Sequence, residues 1–134
     1  MMDDERGYSM GRKAIVSPGA AAIGPYSHGV DSEGLIFLSG QTPVDPATGK
    51  LVEGDIAEQA RQCFSNLKAV LEAAGLTTDN VQKVNMFLTD MGNFAAMNEV
   101  YRQQFTPPYP ARTTIGVLSL PLGAAIEIEM IARR

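Results

Sequence analysis

The segment Leu35-Ile36-Phe37-Leu38 is apolar at every position and closes on Ser39-Gly40-Gln41. Successive side chains of an extended strand point to opposite faces, so this run needs hydrophobic cover on both sides. Two other segments make the same demand. Val84, Met86 and Leu88 face one way while Phe87 faces the other, and Ile115, Val117 and Leu118 repeat the pattern. A sheet with one wet face alternates more cleanly between apolar and polar. The chain offers only two helices as cover, so the second sheet face is expected to be buried by further copies of the chain in a closed homo-oligomer.

The first of those helices is predicted over Asp55 to Ala74. Asp55 caps it, and Glu58 three residues later completes a capping box. Ile56, Ala60, Cys63, Phe64, Leu67, Val70, Leu71 and Ala74 keep helical spacing, and Gly75 supplies the stop. Cys63 lies inside that stripe and reads as core packing rather than as a nucleophile. Asn93 is expected to cap the second helix, Phe94 to Phe105, with Phe94, Met97, Val100, Tyr101 and Phe105 on its apolar stripe and Pro107-Pro108 beyond its end. Strands are expected at Ala14 to Ser17, Val30-Asp31, Leu35 to Ser39, Val81 to Thr89 and on both sides of Leu120-Pro121-Leu122-Gly123. Turns are expected at Ser32-Glu33-Gly34 and Asp45 to Gly49, the latter within an irregular Thr42 to Gly54. This order gives one α+β domain over 14–134, a mixed sheet with two helices on one face, behind a loose tail over 1–13.

With 134 residues, 45% of them hydrophobic, a single domain buries about two-thirds of its unfolded surface. The net charge of −4 comes without a basic face, which argues against nucleic acid as partner. One cysteine and one histidine exclude an internal disulfide and a single-chain Cys/His zinc site, so no metal is expected. No apolar run approaches the ~20 residues that span a bilayer. Asp3, Asp4 and Glu5 interrupt the start of the chain, which lacks the apolar core of a secretory signal. The cytoplasm is the expected location.

The candidate chemistry sits in the last third of the chain. Arg112 follows Pro110-Ala111 at the mouth of one strand, and Glu127 lies between Ile126 and Ile128 in another. In a hairpin closing between Leu120 and Gly123, the two would fall near one level of the ladder. A planar guanidinium grips a carboxylate bidentately, and a partly desolvated glutamate has a raised pKa suited to taking a proton from water. The same pattern is also that of a cross-strand ion pair, and both readings stand on the residues alone. Ser27 and His28 are chain neighbours whose side chains diverge, so no serine-type triad forms there. His28 is expected to be an exposed loop imidazole.

Several blocks in order carry a further signal: Ile23-Gly24-Pro25-Tyr26-Ser27, Leu38 to Gly49, Gln59 with Asn66-Leu67 and Leu71 to Gly75, Val81 to Val84 with Phe87 to Asp90, Phe94 with Asn98 to Tyr101, Pro110-Ala111-Arg112, and Leu120-Pro121 with Ile126 to Ala132. Together they resemble the Rid family of reactive imine and enamine deaminases, also called the L-PSP endoribonuclease family, over about Ala14 to Ala132. The resemblance implies a chorismate-mutase-like α+β fold assembled as a homotrimer with clefts between subunits. It implies cofactor-free hydrolysis of 2-imino acids to 2-keto acids and ammonia. Arg112 would bind the substrate carboxylate and Glu127 would activate water, with Tyr26, Ser39, Gly40 and Asn98 lining the cleft. Thr114 stands where many members have cysteine, and its hydroxyl would hydrogen-bond substrate. His28 stands where glutamine is commoner, and the link from Tyr101 to Arg112 is a few residues shorter than in the archetype. A non-catalytic carboxylate-binding module and an RNA-cleaving protein are the alternative functions.

Overall fold

The computed structural model describes residues 2–3, 9–20 and 24–134, with 2–3 and 9–10 described only as a short backbone ladder. Residues 1 and 4–8 of the tail expected over 1–13 therefore lie outside the described residues, as do residues 21–23 between the first two predicted strands. Six strands form the main sheet: β1 (Lys13–Ile15), β2 (Gly29–Ser32), β3 (Leu35–Gln41), β4 (Val81–Leu88), β5 (Ala111–Gly116) and β6 (Ile126–Arg133). Their spatial order is β1-β2-β3-β6-β4-β5, antiparallel throughout except for the parallel pair β4 and β5. Helices α1 (Ile56–Ala73) and α2 (Phe94–Gln104) complete the domain.

Local chemistry explains the elements. Glu33 and Gly34 take φ of 52° and 91°, the two-residue turn geometry that joins twisted antiparallel strands, and Asp31 Oδ1 accepts from the Gly34 N–H at 2.9 Å. Asp55 Oδ1 accepts from the Glu58 N–H at 2.9 Å, which opens α1. At the far end Gly75 has φ +75°, and the N–H groups of Gly75 and Leu76 reach back to Glu72 and Leu71 at 2.9 and 2.8 Å, closing α1 in a Schellman turn.

Two local expectations are corrected. Asn93 makes no side-chain cap to α2. It ends a 3₁₀ turn, Met91–Asn93, whose first N–H groups are met by Asp90 instead, with Oδ1 accepting from Gly92 at 2.8 Å. Within Thr42 to Gly54, Val44–Asp45 pairs with Lys50–Leu51 around the predicted turn.

The larger correction concerns β5 and β6. They form no hairpin: β4 lies between them and pairs with both. The reason is the route of the chain. β4, α2 and β5 make a crossover unit whose strands must be parallel, and the segment from Val117 to Ala125 then spans β4 to start β6 on its other side.

Both helices pack on one face. Ile36, Val84, Met86, Leu88, Ile126, Ile128 and Ala132 are fully buried there against Phe64, Leu67, Val70 and Met97. Cys63 is fully buried in the same layer, and burial pushes its thiol well above the ordinary range, as a packing role requires. The opposite face carries Leu35, Phe37 and Ile115, exposed at 38%, 44% and 45%. β3 and β4 are thus two-faced as predicted, whereas Val117 and Leu118 lie beyond the end of β5, and a single chain covers one face only.

One buried polar side chain ties helix to loop. Asn66 is fully buried. Its Nδ2 donates to the Val44 carbonyl at 2.8 Å and, at 3.4 Å, to that of Thr42, while Oδ1 accepts from Gln62 Nε2 at 2.9 Å. Asn66→Leu keeps the branched shape but removes the donor to the Val44 carbonyl, while the Thr42 carbonyl still accepts the Val44 N–H at 2.8 Å. It is expected to cost about 2 kcal/mol in urea unfolding, and a loss below roughly 0.5 kcal/mol would contradict this account.

Candidate functional site

Register assigns each candidate to a face. Arg112 on β5 stands opposite Val84 of β4, which stands opposite Met130 of β6. Glu127 stands opposite Phe87, which stands opposite Ile115. Val84 and Phe87 have opposite parity on one strand, so Arg112 and Glu127 project from opposite faces of the sheet. Among the described residues no carboxylate pairs with Arg112 and no cation pairs with Glu127. The cross-strand ion pair is absent.

Arg112 is held by α2. Its Nη1 donates to Asn98 Oδ1 at 2.7 Å. Its guanidinium carbon lies 4.5 Å from the centre of the Tyr101 ring and 5.5 Å from that of Phe94, a cation between two π faces. Tyr101 is anchored in turn by Phe64 and Phe105, with ring centres 6.2 and 5.0 Å away. Burial raises the Tyr101 pKa, and the nearby Arg112 charge opposes that rise. Asn98, Tyr101, Arg102, Tyr109, Pro110 and Arg112 line a concavity of about 420 Å³.

Glu127 belongs to a second concavity, of about 300 Å³, lined by Tyr26, Ser39, Gly40, Thr42, Pro121, Leu122 and Glu127. A bulge in the β3–β6 ladder sets Ser39 and Gly40 together against Glu129, between the Leu38 and Gln41 pairings. A Cβ added at Gly40 would lie 2.5 Å from Glu127 Oε1 and 3.0 Å from its carboxyl carbon, so only glycine admits the carboxylate there. Ser39 Oγ donates to the Ser27 carbonyl at 2.6 Å, and the Ser39 N–H donates to the His28 carbonyl at 3.0 Å. These bonds fix the strand edge beside Glu127. Burial holds the Glu127 carboxyl above its ordinary range, and the charge of Glu129 adds to the effect.

The sequence candidates therefore divide. Asn98 and Arg112 share one concavity; Tyr26, Ser39, Gly40 and Glu127 share the other. Thr114 faces the same way as Arg112 but lines neither, and its buried hydroxyl has no hydrogen-bond partner among the described residues. His28 is not the exposed loop residue expected. It is only 9% exposed, and its Nδ1 accepts the Ser17 N–H at 2.9 Å, because the loop before β2 folds its ring against the turn after β1. Phe94, Tyr101, Arg102 and Tyr109 were not among the candidates. The first two had been assigned to the apolar stripe of α2, but Arg102 was legible as lying one helical turn beyond Asn98.

Fold and site define a small α+β protein with two concavities on a half-covered sheet, one beside the edge strand β5 and one at the ends of the central strands β3 and β6. The Endoribonuclease L-PSP family model matches residues 16–134, and the chain belongs to that family, among its Rid-like members. It is 52% identical over 126 residues to Protein DfrA of Myxococcus xanthus, covering 92% of this chain and 96% of that one. It is 45% identical over 125 residues to the 2-iminobutanoate/2-iminopropanoate deaminase of Bos taurus, covering 92% and 91%. The crystal structure of yeast YEO7 superposes with a TM-score of 0.89 at 46% identity, covering 92% of this chain and 99% of that one.

The raised Glu127 pKa has a definite sign in stability. The folded chain holds this proton more tightly than the unfolded chain does. The resulting stabilisation is present below the ordinary glutamate pKa and is lost as pH rises through the raised value. Glu127→Gln is uncharged at every pH. It is expected to be more stable than wild type at neutral pH, with the difference closing below about pH 4. A pH-independent difference in urea midpoints would contradict the assignment.

Proposed function

We propose that the chain hydrolyses 2-imino acids to 2-keto acids and ammonia in clefts formed where copies of the chain meet. The observation that carries this is the state of Arg112: a guanidinium clamped by Asn98, Tyr101 and Phe94, without a carboxylate partner among the described residues, and open to a cavity. Such a group is preorganised to take the carboxylate of a small acid in a bidentate, charge-assisted contact.

The chemistry asks little more of the protein. Protonated imines are already electrophilic, so binding, a placed water and a proton path suffice, without a cofactor. Glu127, with its raised pKa, takes a proton from water as the water oxygen adds to the imine carbon. It then gives that proton to the nitrogen of the tetrahedral intermediate. As the C–N bond breaks and ammonia leaves, the Glu127 carboxylate takes the hydroxyl proton, and the carbonyl of the 2-keto acid forms with no change of redox state. Tyr26, Ser39, Gly40 and Asn98 complete the cleft wall, and Gly40 leaves the room Glu127 needs.

Arg112 and Glu127 act on one substrate only if two copies contribute one each. The uncovered face of Leu35, Phe37 and Ile115 supports that assembly, which we take as a homotrimer. The bovine relative bears the deaminase name, which supports the reaction class. Against RNA cleavage stand the net charge of −4 and the sole histidine, buried with one ring nitrogen committed to Ser17. Among the described residues no helix is long and apolar enough to cross a membrane, and we set this chemistry in the cytoplasm.

The test generates the imine in place, from alanine with an amino-acid oxidase, and follows its loss by semicarbazide trapping. Arg112→Ala is expected to raise KM strongly, and Glu127→Gln to lower kcat by about 10²–10⁴-fold. Equal clearance by wild type and both variants overturns the proposal. Binding of pyruvate that depends on Arg112 without any turnover would instead identify a carboxylate-binding module.

A further inference from the structure

We infer that Arg102 sets the substrate choice of the Arg112 cavity and fits it to 2-imino dicarboxylic acids, Arg112 taking the carboxylate beside the imine and Arg102 the distal one. This rests on the reading of Arg112 given above. Asn98 and Arg102 are four residues apart on α2, so they are neighbours on one helix face, with Cβ atoms about 5–6 Å apart. Arg112 Nη1 lies 2.7 Å from Asn98 Oδ1. Arg102 and Arg112 both line the same volume of about 420 Å³, and none of its lining residues is acidic. In a chain of net charge −4, a recess walled by two cations reverses the local field and concentrates small dianions.

The two arginines differ in a way that suits two tasks. Arg112 is fixed by its hydrogen bond and the rings beneath it, as the group that orients the reacting end must be. Arg102 is 60% exposed, and its ion pair, with Glu99 Oε1 at 3.6 Å, involves a carboxylate itself 65% exposed. A screened pair of that kind contributes little, so Arg102 can exchange Glu99 for a substrate carboxylate at small cost. Tyr101, Tyr109 and Pro110 between them offer an apolar wall for the intervening methylene groups. The distal carboxylate takes no part in bond making or breaking. Water still adds at the imine carbon, ammonia still leaves, and the product is a 2-keto diacid. Its contribution is uniform binding and is expected in KM rather than in kcat.

The experiment compares kcat/KM for 2-iminoglutarate, made from glutamate with its oxidase, and for 2-iminopropanoate, made from alanine. In Arg102→Ala the ratio of the two is expected to fall about tenfold through KM, the scale of one lost charge-assisted hydrogen bond. Arg102→Lys, which keeps a point charge but not the fork, should restore part of the ratio. An unchanged ratio in Arg102→Ala overturns the inference. Should neither imine be cleared by the wild type, the hydrolase reading falls, and calorimetry still decides this one. 2-Oxoglutarate binding tighter than pyruvate, with the margin lost in Arg102→Ala, upholds it. Equal Kd values for the two acids overturn it.

Discussion

Successive side chains on a strand point to opposite faces, and Arg112 and Glu127 occupy positions of opposite parity on the register that joins β5, β4 and β6. No rotamer change undoes that separation. Shifting β6 by one residue against its neighbours would bring the two charges to one face but would turn Ile126, Ile128, Met130 and Ala132 out of the core. The hydrophobic layer thus dictates that the cation and the carboxylate of one chain open into different recesses. Any reaction needing both must recruit them from different copies, and the same sheet presents an uncovered apolar surface through which copies can meet.

The core also prepares the cation. Phe64 and Phe105 fix Tyr101, Tyr101 and Phe94 flank Arg112, and Asn98 takes one of its N–H groups. Packing energy is converted into orientation, so little side-chain entropy remains to be lost when a carboxylate arrives. On the other recess the logic is reversed. Gly40 provides an absence of side chain, the bulge at Ser39 and Gly40 bends the strand edge, and the Glu127 carboxyl sits in partial shelter beside Glu129. One side of the sheet contributes a rigid binding group, the other a proton-handling group of raised pKa.

Much of this was legible in the residues. Asp55, the stripe from Ile56 to Ala74, and Gly75 specify α1 by themselves because capping and periodicity are local. The two-faced character of β3 and β4 was equally plain, since alternation needs no knowledge of neighbours. The pairing of β5 with β4 rather than β6 was not legible, because it depends on the crossover through α2, a non-local event that the turn-like Leu120 to Gly123 disguises. His28 was misjudged for a related reason: what buries it is an N–H from Ser17, eleven residues earlier and across a loop. Arg112 and Glu127 could be picked out as chemistry-bearing residues. Their separation could not, because it follows from strand order.

The account is tested most directly by mixing two impaired variants. Arg112→Ala and Glu127→Gln chains, each prepared alone and then unfolded and refolded together, give hetero-oligomers in which some clefts draw an intact arginine from one copy and an intact glutamate from another. Clefts shared between copies predict partial recovery of 2-iminopropanoate clearance in the mixture, above either variant refolded alone. Oligomers shown to contain both chains yet no more active than the separate variants would contradict a site divided between subunits.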